Sequence, residues 1–360
     1  MFKSGLFFLL ACVAGGVAAG AATGADPDNR PLKIGFVYVS PVGDIGWSYA
    51  HDQGRASLAK QPGILTYCRE AVPEEEAEEV ISRMAGKGYD IIFTTSFGFL
   101  DATLRVAEKF PDTVFMHCSG NRTAPNVGNY FARIYQIRYL TGMVSGLMTR
   151  TNRIGYVAAY PIPEVIRGIN AFTLGVRAVN PEAQVRVLWV RQWFGAARER
   201  EAALKLIDGG VDVLTSHQDS PIVLGAVAEE KGVYFVGYHS DADRFGPGAH
   251  LVSATLDWTT YYQAVVDAVR AGTWKSGSAW LGIQSGIADI SSYGSSVPQE
   301  VRAMVDARKQ EIIDGRHIVF QGPVRDQTGE VRIAEGAVPT DQELLTQDWF
   351  VEGVIGSFEE

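Results

Sequence analysis

Short apolar runs alternate with longer amphipathic stretches along most of this chain. "KIGFVYV" (33–39) is nearly all apolar, and a helix-like segment follows from Ser48 to Lys60. "ILTYC" (64–68) precedes "EEEAEEVISRMAGKG", where Ala77, Val80, Ile81 and Met84 recur at i, i+3, i+4 and i+7 on one helical face. Glutamates crowd its first turns, where the helix dipole favours them, and Gly86 or Gly88 stops it. The strand "DIIFTT" (90–95) leads to a helix from Phe99 to Lys109. "TVFMHC" then leads to "VGNYFAR", and Tyr139, Leu140, Met143, Val144 and Leu147 stripe the next helix.

Near 150–153 the pattern begins again. "RIGYVAA" is followed by a helix with Val165, Ile166, Ile169, Phe172 and Val176 on one side, then by the strands "QVRVLWV", "VDVLT" and "VYFVG". Strands this apolar, spaced by amphipathic helices, predict parallel sheets covered on both faces. The fold class is therefore α/β, in two lobes. The last hundred residues start no third lobe: "HLVSATL" is a strand, Thr259–Ala271 and 298–314 are helical, and "GIADISSYG" is extended. Such segments are expected to cross back between the lobes as hinges. The expected domains are 31–150 with about 256–283, and 151–255 with about 284–360.

The first 25 residues do not share this alternation. "MFKS", the apolar "GLFFLLACVA" and the small-residue "GGVAAGAATGA" follow the order of a secretory signal peptide, with an apolar core too short to span a membrane. Ala-x-Ala-like sites near Ala21 and Ala25 predict a mature chain beginning near Asp26. "LLAC" around Cys12 also resembles a lipoprotein box, so a lipid-anchored form is the alternative. The net charge of −9 argues against nucleic acid, which would want a basic face. Cys68 and Cys118 end strands expected to be separated in one sheet, so two free thiols are expected.

In open α/β sheets, ligands sit outside the carboxyl ends of the strands. The residues following each strand here are Asp44 and Trp47; Ser96, Phe97 and Gly98; Trp193 and Phe194; His217, Gln218, Asp219 and Ser220; Tyr238, His239 and Asp241; and Asp257 and Trp258. Any one of these aromatics is as compatible with packing at a sheet rim. Their recurrence in both lobes suits a flat ligand whose faces are gripped by stacking and whose edges are read by Asp, His, Ser and Gln. Catalytic readings lack a motif: there is no G-x-S-x-G, no P-loop and no G-x-G-x-x-G after a strand. "SDADRFG" begins like a calcium loop but has Phe245 and Val252 at ligand positions. His217, Asp219, His239 and Asp241 are permissible zinc ligands without a metal spacing. No metal or cofactor is expected. His51, His117, His250 and His317 are read as surface or loop residues.

"KIGFVYVSPVGDIGWSYAHDQGR", "TTSFGF", "RIGYVAAYPIPEVIRGINAFTLGVR", "WFGAARERE", "SHQDSP", "EEKGVYFVGYHSD" and "LTQDWFVEGV" resemble the basic membrane protein (BMP) family of solute-binding proteins, across 32–355. That family serves ABC importers and includes purine nucleoside receptors. The resemblance implies a type 1 periplasmic binding protein fold, two Rossmann-like lobes joined by three crossings. It also implies an exported, periplasmic, non-enzymatic protein, expected as a monomer, that hands a purine base or nucleoside to a membrane permease. By resemblance Trp47 stacks on the base, Asp44 and Asp241 contact the ligand, and Trp193 or Phe194 supplies the second ring, with Phe194 favoured. "GDIG" keeps one acid where the nucleoside receptors have two before a lysine and a serine, which favours a free base such as adenine. A sugar or other small signal molecule in the same fold, and an exported nucleoside hydrolase using Asp44 or Asp241, are the alternatives.

Overall fold

The computed structural model describes residues 30–359. The signal-peptide, Ala21, Ala25 and Cys12 expectations lie outside those residues. From Leu32 onward the chain forms one compact unit. Its first half contains β1 (Leu32–Val37), α1 (Trp47–Leu58), β2 (Ile64–Arg69), α2 (Ala77–Gly86), β3 (Ile91–Thr94), α3 (Leu100–Lys109), β4 (Val114–Cys118) and β5 (Val127–Ala132). The pattern repeats with α4 (Ile134–Met148), β6 (Arg153–Ala158), α5 (Pro163–Val179), β7 (Gln184–Trp189), α6 (Ala196–Asp208), β8 (Val213–His217), α7 (Ile222–Lys231), β9 (Tyr234–His239) and β10 (His250–Leu256). α8 (Thr259–Arg270), β11 (Ser278–Leu281), β12 (Ala288–Ile290) and α9 (Gln299–Ile313) follow. A small antiparallel pair, β13 (Val324–Arg325) and β14 (Val331–Ile333), a short α10 (Asp341–Leu345) and β15 (Val354–Ile355) close the chain.

Two sheets result. The first runs β11-β5-β4-β3-β1-β2 and is parallel throughout. The second runs β12-β10-β9-β8-β6-β7-β15, with only β12 antiparallel to its neighbour. In both, the chain winds one way from the first strand and the other way from the third. The reversal falls between β1 and β3 and again between β6 and β8. The strands are apolar because helices cover both faces: every residue of β3, β5 and β8 is buried.

The chain leaves the first sheet at the end of β5, ahead of the expected break near 150–153. The reason is α4, which packs on α5 of the second half. Glycines allow the two helix backbones to touch: a Cβ on Gly142 would lie 2.0 Å from the Phe172 carbonyl oxygen, and one on Gly175 equally close to that of Tyr139. The chain returns after β10 to form α8 and β11, then crosses a third time to β12. The Arg133 N–H donates to the Leu281 carbonyl (2.7 Å) and the Asp257 N–H to that of Ile287 (2.8 Å), so the three crossing segments are tied together.

Cys118 is buried and Cys68 exposed, both as free thiols. Three histidines read as surface or loop residues are instead buried. His51 stacks on Trp258 at 5.0 Å, the His117 ring lies 2.9 Å from the Ser96 carbonyl oxygen, and His250 Nε2 lies 2.8 Å from Ser253 Oγ. A neutral imidazole with a polar partner fits an interior, and spacing along the chain cannot reveal that partner.

Candidate ligand site between the two sheets

A cavity of about 370 Å³, counting its mouth, opens where the carboxyl ends of both sheets meet. Val39 and Trp47 enter it from beyond β1, Thr95, Ser96 and Phe97 from beyond β3, and Ser119 from beyond β4. From the second half come Glu164 at the start of α5, Trp193 beyond β7, His217, Gln218 and Asp219 from the end of β8, and His239 at the end of β9. These are the strand ends flanking both reversals, where crevices open in doubly wound sheets. Two lining residues hold a left-handed backbone without being glycine, Ser119 and His239, each with φ of 66°. Such a conformation costs about 1–3 kcal/mol and collects at functional sites.

Trp47, expected on a loop, is the first helical residue of α1. Its indole is held edge and face: Nε1 donates to the Thr95 carbonyl (2.6 Å), and the ring meets His51 edge-on at 4.4 Å. His51 in turn stacks on Trp258 and hydrogen-bonds Tyr262, which contacts Tyr130 through its hydroxyl at 2.9 Å. Trp258 is therefore part of the buried support beneath Trp47 rather than of the lining. Burial pushes the His51 imidazole well below its ordinary range.

The N-terminus of α1 receives its cap from the other half of the molecule. Gly46, the N-cap, has no side chain to offer. Asp219 supplies what it lacks. Its carbonyl accepts from the Trp47 N–H (2.8 Å), and its carboxylate accepts from the Ser48 N–H (3.1 Å) and faces Ser48 Oγ (3.3 Å). The approach requires glycine at 46, where φ is 111° and a Cβ would lie 1.8 Å from the Asp219 carbonyl oxygen. Burial raises the Asp219 carboxyl to about 7, against the hydrogen bonds from Ser48 and Trp47. Further contacts join the halves: Arg244 Nη2 donates to the Asp44 carbonyl (2.7 Å), and Trp193 Nε1 to Glu74 Oε1 (3.3 Å).

Of the thirteen residues singled out from the sequence, Trp47, Ser96, Phe97, Trp193, His217, Asp219 and His239 line the cavity. The others do not. Phe194 is 49% exposed and Trp193 takes the lining position; the Trp193 carbonyl is fixed by the Asp219 N–H at 2.8 Å. Asp44 contributes its backbone carbonyl to Arg244. Asp241 is half exposed and faces His250 at 3.9 Å. Tyr238 is buried behind the lining, with the Arg138 guanidinium 4.7 Å over its ring. Gly98 leaves room for Glu74, whose carboxyl carbon a Cβ there would meet at 1.9 Å. Glu74 Oε1 also accepts from Ser96 Oγ (3.3 Å).

Val39, Thr95, Ser119 and Glu164 line the cavity without having been singled out, and Gln218 was noted but not chosen. Ser119 follows a strand end like the others and was legible on that rule. Glu164 was not, because it lies a full loop beyond β6. Its carboxylate lies 3.5 Å from His217 Nε2. Burial lowers both His217 and His239 below their ordinary range, and the Arg138 charge pushes both the same way. No helix among the described residues is long and apolar enough to cross a membrane.

A family model described as ABC transporter substrate-binding protein, PnrA-like (Bmp), matches residues 32–325. Over 349 residues the chain is 38% identical to a purine-binding protein of Brucella abortus (strain 2308), covering 96% of this chain and 98% of that one. It is 41% identical over 336 residues to a Haloferax volcanii protein provisionally named an ABC transporter glucose-binding protein, covering 92% and 83%. An ABC transporter solute-binding protein from Conexibacter woesei superposes with a TM-score of 0.66 at 25% identity, covering 80% of this chain and 98% of that one. One from Aeropyrum pernix K1 superposes with a TM-score of 0.72 at 15% identity, covering 82% and 93%, a likeness of fold.

Proposed function

We propose that this chain, which belongs to the PnrA-like family of ABC transporter substrate-binding proteins, captures a purine nucleobase between its two sheets. Members of that family are extracytoplasmic, bind solute rather than transform it, and serve a membrane permease. The observation that carries the purine reading is the pair of tryptophans: Trp47 from the first half and Trp193 from the second line the same cavity. Flat aromatic faces from two sides suit a planar heterocycle, at about 1–3 kcal/mol of stacking per base. The Brucella relative's name supports the same ligand class.

Closure of the two lobes over the base makes the contact between Asp219 and the start of α1. Hinge closure of this kind traps ligand and presents a distinct shape to the permease. Export by the leader at 1–25 into a periplasm, with a monomeric mature protein, completes the reading.

The sugar reading draws on the name of the Haloferax relative. Calorimetry separates the two. Adenine, guanine, hypoxanthine, their nucleosides and glucose are titrated into the purified protein. Binding of at least one purine base, with glucose silent, is expected. Silence across all purines with heat from glucose overturns the proposal.

A further inference from the structure

Beside the donors of Trp193 and Gln218, the second half brings Glu164, His217 and His239 to the cavity, three side chains that carry acceptor atoms. His239 hydrogen-bonds the backbone of Gln218, and its Nδ1 has no partner among the described residues. His217 turns Nε2 toward Glu164 Oε1 at 3.5 Å, and its Nδ1 is likewise without a partner among them. A neutral imidazole has one donor nitrogen and one acceptor. Assigned from these partners, the tautomers spend both donors within the protein and leave an acceptor at each Nδ1.

Burial is the first reason the imidazoles stay neutral, and Arg138 adds to it. Its guanidinium is fully buried on α4, near the rings of Tyr156 (4.9 Å), Phe172 (5.0 Å) and Tyr238 (4.7 Å). Its Nη2 donates to Thr215 Oγ1 at 3.2 Å. A buried positive charge behind two imidazoles opposes a second and third charge there. Glu164 is the remaining group. It stands in the first turn of α5, its side chain 13% exposed, with His217 as its one ion-pair partner among the described residues. One side of the carboxylate is thus left for the cavity.

Resting on the purine reading above, we propose that Glu164, with His239 Nδ1 as a second acceptor, reads the edge of the base and selects a 6-aminopurine over a 6-oxopurine. Adenine and hypoxanthine have nearly the same shape and stack alike. They differ at one edge in two adjacent atoms: the 6-amino donor becomes an oxo acceptor, and the N1 acceptor becomes an N1–H donor. The amino group satisfies a carboxylate oxygen. An oxo group in the place of the amino group sets lone pair against lone pair and leaves the cavity-facing side of the carboxylate without a donor, a loss that binding sites built on hydrogen bonds register strongly.

The test is calorimetry of adenine and hypoxanthine against the full mature protein and the Glu164→Gln variant. The wild-type protein is expected to bind adenine at least about tenfold more tightly, from the cost of an unpaired buried group. Glu164→Gln offers a donor as well as an acceptor, so the preference is expected to shrink to within about threefold. Equal wild-type affinities, or hypoxanthine the tighter, overturn the assignment while leaving the purine reading intact. An unchanged preference in a folded Glu164→Gln protein overturns the role of Glu164. Silence toward every purine fails both readings together. If the variant does not fold, the wild-type ratio alone decides.

Discussion

The Asp219 carboxylate, at the end of a strand in the second half, accepts a hydrogen bond from the Ser48 N–H at 3.1 Å and so caps a helix of the first half. The two residues are 171 positions apart. A cap supplied across the cleft exists only when the halves are together. Removing it should therefore cost affinity rather than the stability of either half. Asp219→Ala is expected to weaken ligand binding by about 2- to 30-fold, following the roughly 0.5–2 kcal/mol that caps contribute. Thermal melting of the unliganded protein should move little, and a large drop there would make Asp219 a folding residue.

Gly46 meets the same contact from the other side. Its φ of 111° disfavours any side chain, and a Cβ would lie 1.8 Å from a backbone oxygen that has no flexible end to move. Gly46→Ala is expected to hold the halves apart. Small-angle scattering in saturating ligand should then show no compaction on ligand addition, whereas the wild-type protein contracts. A variant that contracts normally would refute the steric account.

Trp193 and Phe194 are adjacent, and only the first lines the cavity. Trp193→Ala is expected to weaken binding by about 5- to 150-fold, corresponding to about 1–3 kcal/mol of stacking. Phe194→Ala should change affinity less than twofold. Calorimetry on the two variants side by side distinguishes them, and the reverse ranking would restore Phe194 as the second ring.

His117 is fully buried in the first sheet, and burial lowers its imidazole from 6.5 to about 4. A histidine whose folded pKa is depressed favours the folded state above its unfolded value. That contribution is lost as pH falls from about 6.5 toward 4. The loss reaches about 3 kcal/mol at the lower end, at 1.36 kcal/mol per unit. His51, lowered in the same direction, adds to it. Denaturant midpoints are expected to decline through this window, and less steeply in His117→Gln. A flat profile from pH 7 to 4 would contradict the burial argument.

Much of the architecture was legible in the chain. Period-two and period-3.6 patterns depend on neighbours a few residues apart, so the alternation of β1 to β5 and its repeat from β6 to β9 were readable directly. The strand-end rule located eight of the cavity's residues, Gln218 among them, because it needs only the strand pattern and the α/β class. It failed where a residue acts through packing: Trp258 and Tyr238 follow strands yet serve as buried supports. It also failed at α4, whose stripe is compatible with either sheet. The deciding fact is the backbone contact at Gly142 and Gly175, which a sequence pattern does not carry.

The order of strands and helices and the family were both properties of the linear chain, because each rests on local spacing or on long motifs. Which of Trp193 and Phe194 turns inward, that Glu164 reaches the cavity, and that Asp219 completes α1 were settled only by the folded molecule. These facts depend on pairs of groups separated by tens to hundreds of residues, brought within 3–4 Å by two independently wound sheets meeting at their carboxyl ends.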